Sequence, residues 1–277
     1  MMCYNAAYSI ERNLKHAISR EQDSVLKVKL EEMLEQWQKH KLPFVPNIEI
    51  EDQAFFVNAF EHKHFPAFYL EENEIQLGFF RWGLVPHWCK DEKKALQIWN
   101  QTINARSETI FNKPSYRASA ADRHCVILLD GFFEYHHEAK KKFPFYISPK
   151  DGPMYVAGLY EQTMIDGIEW RTFTIVTTEG NELMRKIHNN PKNPNRMPEL
   201  LRQDQIMAWL APTQKGNPTE MAKLKLDFFQ PSPEDQIQAH TVAQLQGNNG
   251  LGNRPEAQEE YIPVSYTHLR AHETRGN

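Results

Sequence analysis

Cysteine is scarce in this chain: three in 277 residues, at positions 3, 89 and 125. Their odd number and wide spacing leave no disulfide framework and fit a reducing compartment. No Cys-x-x-Cys pair, His-Glu-x-x-His run or calcium-loop pattern occurs, so neither a structural metal nor a cofactor is expected. No apolar run approaches the ~20 residues that span a bilayer. The start lacks the basic and apolar regions of a secretory leader. These absences read as a cytoplasmic chain with no membrane association. Positive charge is short too: 32 Lys and Arg stand against 36 Asp and Glu, a net charge of −4. That balance disfavours a broadly polyanion-binding surface. The shortage is uneven, with 17 Lys and Arg against 14 Asp and Glu between Gly78 and Leu200. Nucleic-acid binding here would need a local groove.

What is present is apolar and aromatic: 40% hydrophobic residues and 12% aromatics, enough for a substantial core in one large domain or two small ones. Leu26, Leu30, Met33, Leu34 and Trp37 recur at helical spacing, so 24–38 reads as an amphipathic helix with Ser24 as N-cap. Lys39 to Pro46 reads as the turn that closes it. Strand-length runs follow at Ala54 to Phe60, Pro66 to Leu70, Ile75 to Trp82, Cys125 to Leu129, Phe143 to Ile147, Met154 to Tyr160 and Trp170 to Thr177. Asp-Gly pairs at 130, 151 and 166 mark turns, the last inside a hairpin. Short helices are expected at Asn181 to Ile187 and Gln203 to Leu210, and a turn at Pro231 to Pro233 leads to a short strand near His240. No repeat and no βαβ alternation is visible. The pattern is a strand-rich α+β fold.

From about Gln244 the pattern fades, so 244–277 reads as a flexible tail. Gly247 to Gly252 resembles a phosphate loop but lacks the strand before it and the helix after it. Residues 265–277 look like a translated cloning adaptor and are set aside.

Several polar residues stand in apolar surroundings. Cys3 can become the first residue of a processed chain, joining an α-amine to a thiol. That pair traps an aldehyde twice, as an imine and then as a thiazolidine ring. Glu134 follows two Phe after an Asp-Gly turn. It is either a solvent-facing strand residue or a carboxylate whose apolar neighbours raise its pKa for general acid/base work. His188 follows a short helix, either as a simple cap on the dipole or as a proton carrier. Asn104 and Arg106 can brace a helix start. Trp82 and Trp88 suit the core better than a base-stacking platform.

Taken together, Trp82-Gly-Leu-Val-Pro-His-Trp88, Asn104-Ala-Arg-Ser-Glu-Thr109, Asp130-Gly-Phe-Phe-Glu-Tyr135, and His188 with Arg196-Met-Pro198 resemble the motifs of the SOS response-associated peptidase family, the abasic-site processing proteins. The order is right, and the resemblance covers roughly residues 2 to 242. It implies one domain at 2–243, with a mixed or antiparallel, barrel-like sheet, peripheral helices and a positive cleft for single-stranded DNA carrying abasic sites. It further implies that Cys3 bonds covalently to the ring-opened sugar and that Asn104 positions that residue and the sugar. Glu134 would serve imine and ring formation, and His188 ring opening, strand scission and reversal. Arg106, Arg196 and Arg81 would meet the DNA, and Trp82 would support stacking. A monomer is expected, nucleoid-associated if bacterial.

Three departures stand out. Tyr4 and Asn5 occupy the Gly and Arg positions of the usual Met-Cys-Gly-Arg start. Seven residues separate His188 from Arg196 where one is typical, and Asn189 to Asn195 should loop out. The 24–38 helix has no assigned role. Met2 also blocks the Cys3 amine, because methionine removal needs a small second residue; translation from Met2 would resolve this. Two other readings remain open at this point: a thiol peptidase or self-processing amidase built on Cys3, Asn104, Glu134 and His188, and a noncatalytic nucleic-acid binder.

Overall fold

The computed structural model describes residues 4–39, 50–138, 141–190, 195–212 and 228–263. The chain opens with β1 (Asn5–Ser9), α1 (Ile10–Arg20), α2 (Ser24–Gln38) and β2 (Gln53–Asn58). Next come β3 (His64–Glu71), β4 (Glu74–Trp82), α3 (Glu92–Trp99), β5 (Asn104–Arg106), α4 (Ser119–Asp122) and β6 (His124–Leu129). The second half holds β7 (Gly131–Glu138), β8 (Lys141–Pro149), β9 (Met154–Ile165), β10 (Ile168–Glu179), α5 (Glu182–Ile187), β11 (Arg196–Pro198), β12 (Leu200–Leu201), α6 (Ile206–Leu210) and β13 (Ile237–Thr241).

Five strands close into a ring. β3 pairs antiparallel with β4 and β6, β6 with β9, and β9 with β10. β10 then meets β4 in parallel, through Thr172 opposite Arg81 and Phe173 opposite Trp82. This is the mixed, barrel-like sheet with peripheral helices expected above. Closure removes free edges, and the interior is filled by large side chains. Phe65, Phe80, Trp82 and Phe173 are fully buried, and each such burial stabilises by about 1.5–3 kcal/mol. The β9–β10 hairpin turns at Asp166 and Gly167, both at positive φ; that is the twist a two-residue hairpin needs.

A second sheet runs in the order β13-β8-β7-β1-β2. It brings the two site-bearing parts of the chain side by side: Asn5 of β1 pairs with Phe133 of β7, next to Glu134. On the other side of β7, Gly131 lets β8 come close, since a Cβ there would sit 2.4 Å from the Ile147 carbonyl oxygen. β1 and α1 were not legible in the sequence. The 24–38 helix is, but its N-cap is Asp23, whose carboxylate accepts from the Val25 and Leu26 N–H groups; a carboxylate there also suits the positive end of the helix dipole. Lys39 ends the described part of the turn read after that helix, and 40–46 lie outside the described residues.

The flexible-tail reading is corrected for residues 244–263. Leu245 and Ala257 are buried. Asn253 Oδ1 accepts from the Phe55 and Phe56 N–H groups at 2.7 and 3.2 Å, and Gln258 Nε2 donates to Phe55 O at 3.1 Å. Side-chain amides thus satisfy the exposed edge of β2, an arrangement that hydropathy does not register. The adaptor-like 265–277 lie outside the described residues. Among those described, no helix is long and apolar enough to cross a membrane.

Candidate functional site

Glu134 sits in the middle of β7 with its side chain turned into the interior, 3% exposed as a residue. One carboxylate oxygen accepts from the Tyr135 N–H at 3.1 Å. Burial raises its pKa to about 8, partly offset by that hydrogen bond. The carboxyl is therefore protonated near pH 7, because apolar surroundings penalise the charged form.

His188 arrives from the far side of the chain. Asn181 caps α5 by accepting from the Met184 N–H. The helix ends at Ile187, and His188 closes it with its own N–H on Met184 O at 2.7 Å. The cap reading holds for its backbone, but its ring turns inward. Nδ1 lies 3.4 Å from Arg196 O and 3.7 Å from Glu134 Oε2. Burial lowers the ring's pKa to about 4, so it is neutral. A carbonyl can only accept, which assigns the proton to Nδ1 and leaves the lone pair on Nε2. Among the described residues Nε2 has no hydrogen-bond partner. At 3.7 Å, between two uncharged groups, the approach to Glu134 is neither a hydrogen bond nor an ion pair.

Two other motifs lie along β10, and of them Arg196 touches the pair, through its carbonyl on His188 Nδ1. Asn104 and Arg106 lie on β5, paired in parallel with Ile175 and Thr177. Asn104 is buried, its carbonyl accepting from Tyr116 Oη at 3.2 Å, while Arg106 is exposed. β11 lies along the same strand, with Arg196 opposite Glu179. Cys3 lies outside the described residues.

One expected DNA contact is corrected, and two further residues expected at the DNA are engaged within the chain. Trp82 is 0% exposed. Its indole N–H donates to Ile103 O at 3.0 Å, and its ring stacks on Phe173; it presents no face to a base. Arg81 is half-buried, with its guanidinium 4.1 Å from the Trp99 ring centroid and 4.9 Å from that of Trp170. Arg196 is held internally, with its two terminal nitrogens on Glu108 at 2.6 and 3.0 Å and a further bond to Thr177 O. A phosphate would have to displace Glu108 to reach it.

The aromatic missed as a surface group is Trp88. It is 38% exposed. Its indole N–H donates to Pro114 O at 3.3 Å, and Lys94 Nζ lies 4.9 Å from the ring centroid. The signal available in the sequence was Pro86, which takes the chain out of strand geometry just before it.

The model of the family described as SOS response associated peptidase (SRAP) matches residues 16–249. The abasic site processing protein YoqW of Bacillus subtilis is 37% identical over 189 residues, 67% of this chain and 77% of its own. The abasic site processing protein HMCES of Xenopus tropicalis is 30% identical over 214 residues, 69% of this chain and 59% of its own. A crystal structure of a Bacteroides thetaiotaomicron protein superposes with a TM-score of 0.70 at 29% identity, covering 94% of this chain and all of that one.

Proposed function

The chain belongs to the SOS response associated peptidase family, and from that membership we infer that it processes abasic sites in single-stranded DNA by covalent capture through Cys3. One observation carries the reading: Glu134 and His188, 54 residues apart in sequence, meet as a buried neutral acid and neutral base, 3.7 Å apart. The strand that begins two residues after Cys3 is registered beside Glu134's strand, which supports a shared site.

The chemistry follows from the protonation states. The free amine of Cys3, with an ordinary α-amine pKa of about 8, adds to the C1′ aldehyde of the opened sugar. The Glu134 carboxyl gives its proton to the departing hydroxyl, leaving a protonated imine, water and the Glu134 carboxylate. The thiol then adds to the imine carbon, its proton returns to the Glu134 carboxylate, and a five-membered thiazolidine closes. If the thiol is slow, His188 Nε2 takes a C2′ proton from the imine and the 3′ phosphate leaves by β-elimination. Ring closure removes the electron sink and so protects the strand. Asn104 orients the amine and sugar. Arg106 meets a phosphate, and Trp88 offers a stacking face, a sequence-tolerant mode of holding a single strand.

The peptidase reading has narrower support. A chain read from Met1 would need Met2 removed before the Cys3 amine is free, which one self-cleavage by the same thiol would achieve, whereas translation from Met2 would need no such step. Incubation with single strands that carry or lack an abasic site separates the readings. Covalent capture gives a heat- and denaturant-stable adduct only with the lesion. A noncovalent binder gives none, and neither does a protein whose thiol acts only on peptides.

A further inference from the structure

The insertion between His188 and Arg196 is tied down at both ends by asparagine side chains. Asn189 Oδ1 accepts from the His137 N–H at 2.8 Å, and its Nδ2 donates to the His137 carbonyl, also at 2.8 Å. His137 lies on β7, three residues beyond Glu134. The parity of the strand explains the match. Phe133 faces Asn5 of β1; His137, four residues on, points its backbone to the same side. Among the described residues β1 pairs with β7 only through 131–133, and the Asn189 amide takes up the His137 backbone groups. A second bond ties the same corner, with His136 Nδ1 on Lys186 O at 2.9 Å. At the other end Asn195 Nδ2 donates to Gly180 O at 2.8 Å, and the Gly180 N–H returns to Asn195 O at 3.1 Å.

We propose that Asn189 is a positioning residue for His188, clamping the end of α5 to the strand that carries Glu134 so that the imidazole keeps its place despite the long spacer before Arg196. The proposal rests on the reading above in which His188 acts on the sugar. α5 has only six residues, too few to hold its own end in place. The His188 backbone is otherwise fixed by one bond to Met184, and the ring by one 3.4 Å bond to Arg196 O. Asn189 adds two well-formed bonds on the adjacent residue, aimed at the strand that must stay in register with the ring. The clamp at Asn195 fixes the residue next to that Arg196 carbonyl.

A double-mutant cycle tests this. Strand scission at an abasic site in a single strand is followed under single-turnover conditions for wild type, Asn189→Ala, His188→Ala and the double variant. Affinity for an intact strand is measured alongside. Asn189→Ala is expected to slow scission by roughly tenfold or more, as misplacement of a reacting group by about an ångström does, with affinity unchanged. The double variant should be no slower than His188→Ala. A wild-type rate in Asn189→Ala overturns the proposal, and so does a double variant slower than His188→Ala by the full Asn189→Ala factor. A second measurement needs no substrate: nitrogen-15 NMR of the His188 ring. The clamp predicts a single Nδ1–H tautomer in wild type and averaged ring shifts in Asn189→Ala. Identical ring spectra overturn the proposal. If wild type does not act on abasic DNA at all, the functional reading falls and the ring spectra alone decide the positioning role.

Discussion

His188 Nδ1 lies 3.7 Å from Glu134 Oε2, with both side chains closed off from solvent. Burial moves the acid up to about 8 and the imidazole down to about 4. At neutral pH the carboxyl holds a proton to give and the ring has a lone pair to receive one. A solvated carboxyl would already be ionised at that pH, so burial is what keeps the acid in its proton-giving form.

Adduct formation should therefore fall as pH rises through about 8, where Glu134 loses its proton. Glu134→Gln should be slower by roughly a hundredfold and should lose that alkaline fall, because Gln does not ionise. Single-turnover rates between about pH 6 and 9.5 decide this. A fall that persists in Glu134→Gln assigns the titration to another group.

The two tryptophans of the Trp82 to Trp88 run should behave differently. Trp82→Ala empties the inside of the closed ring and should destabilise by about 3–5 kcal/mol. Trp88→Ala should leave the melting midpoint nearly unchanged and weaken single-strand binding by about 1–3 kcal/mol. Thermal melts paired with a binding titration report both. Reversed behaviour would restore Trp82 as the stacking residue.

Arg106→Ala should weaken binding of intact and abasic strands alike. It should also flatten the slope of log affinity against log salt by about one unit for each phosphate that Arg106 neutralises. An unchanged slope removes Arg106 from the DNA surface.

Glu199 tests the same burial physics away from the proposed chemistry. It is 2% exposed, and burial raises its pKa from 4.5 to about 9. A folded-state pKa above the unfolded value means the stabilising proton is fully in place below about 4.5 and is lost as pH rises through about 9. Between those limits wild type should lose stability relative to Glu199→Gln, with a slope of at most about 1.4 kcal/mol per pH unit. Urea midpoints at pH 5, 7 and 9 measure it, and parallel curves for the two proteins would contradict it.

Much of the barrel was legible because its strands are apolar runs of the right length, bounded by turn residues such as Asp166-Gly167. β1 was not, because it is covered by β2 on one edge and β7 on the other, and all five of its residues are buried. Without an exposed face there is no alternation to read. α1 was missed for a related reason: its buried stripe is Ile10, Asn13, Leu14 and Ala17, half of it polar or small. Within the site, the motif residues identified Glu134 and His188 but not which neighbours they would face. Arg196 looked like a phosphate ligand because its residue type allows that role. Its pairing with Glu108 depends on β5 and β11 both lying on β10, a tertiary fact. Trp82 and Trp88 differ by only six positions, but Trp82 ends β4 inside the ring whereas Trp88 lies beyond Pro86, off the strand.

The central claim is that Cys3 joins amine and thiol to the abasic aldehyde. The most direct measurement is a denaturing gel of protein and abasic single-stranded DNA, wild type against Cys3→Ala, with the N-terminal residue of each preparation established by intact mass. The account predicts a wild-type chain that begins at Cys3 and forms a heat-stable adduct, and a Cys3→Ala variant that forms none. Equal adduct from Cys3→Ala, or an adduct from chains that retain Met1 or Met2, would contradict it.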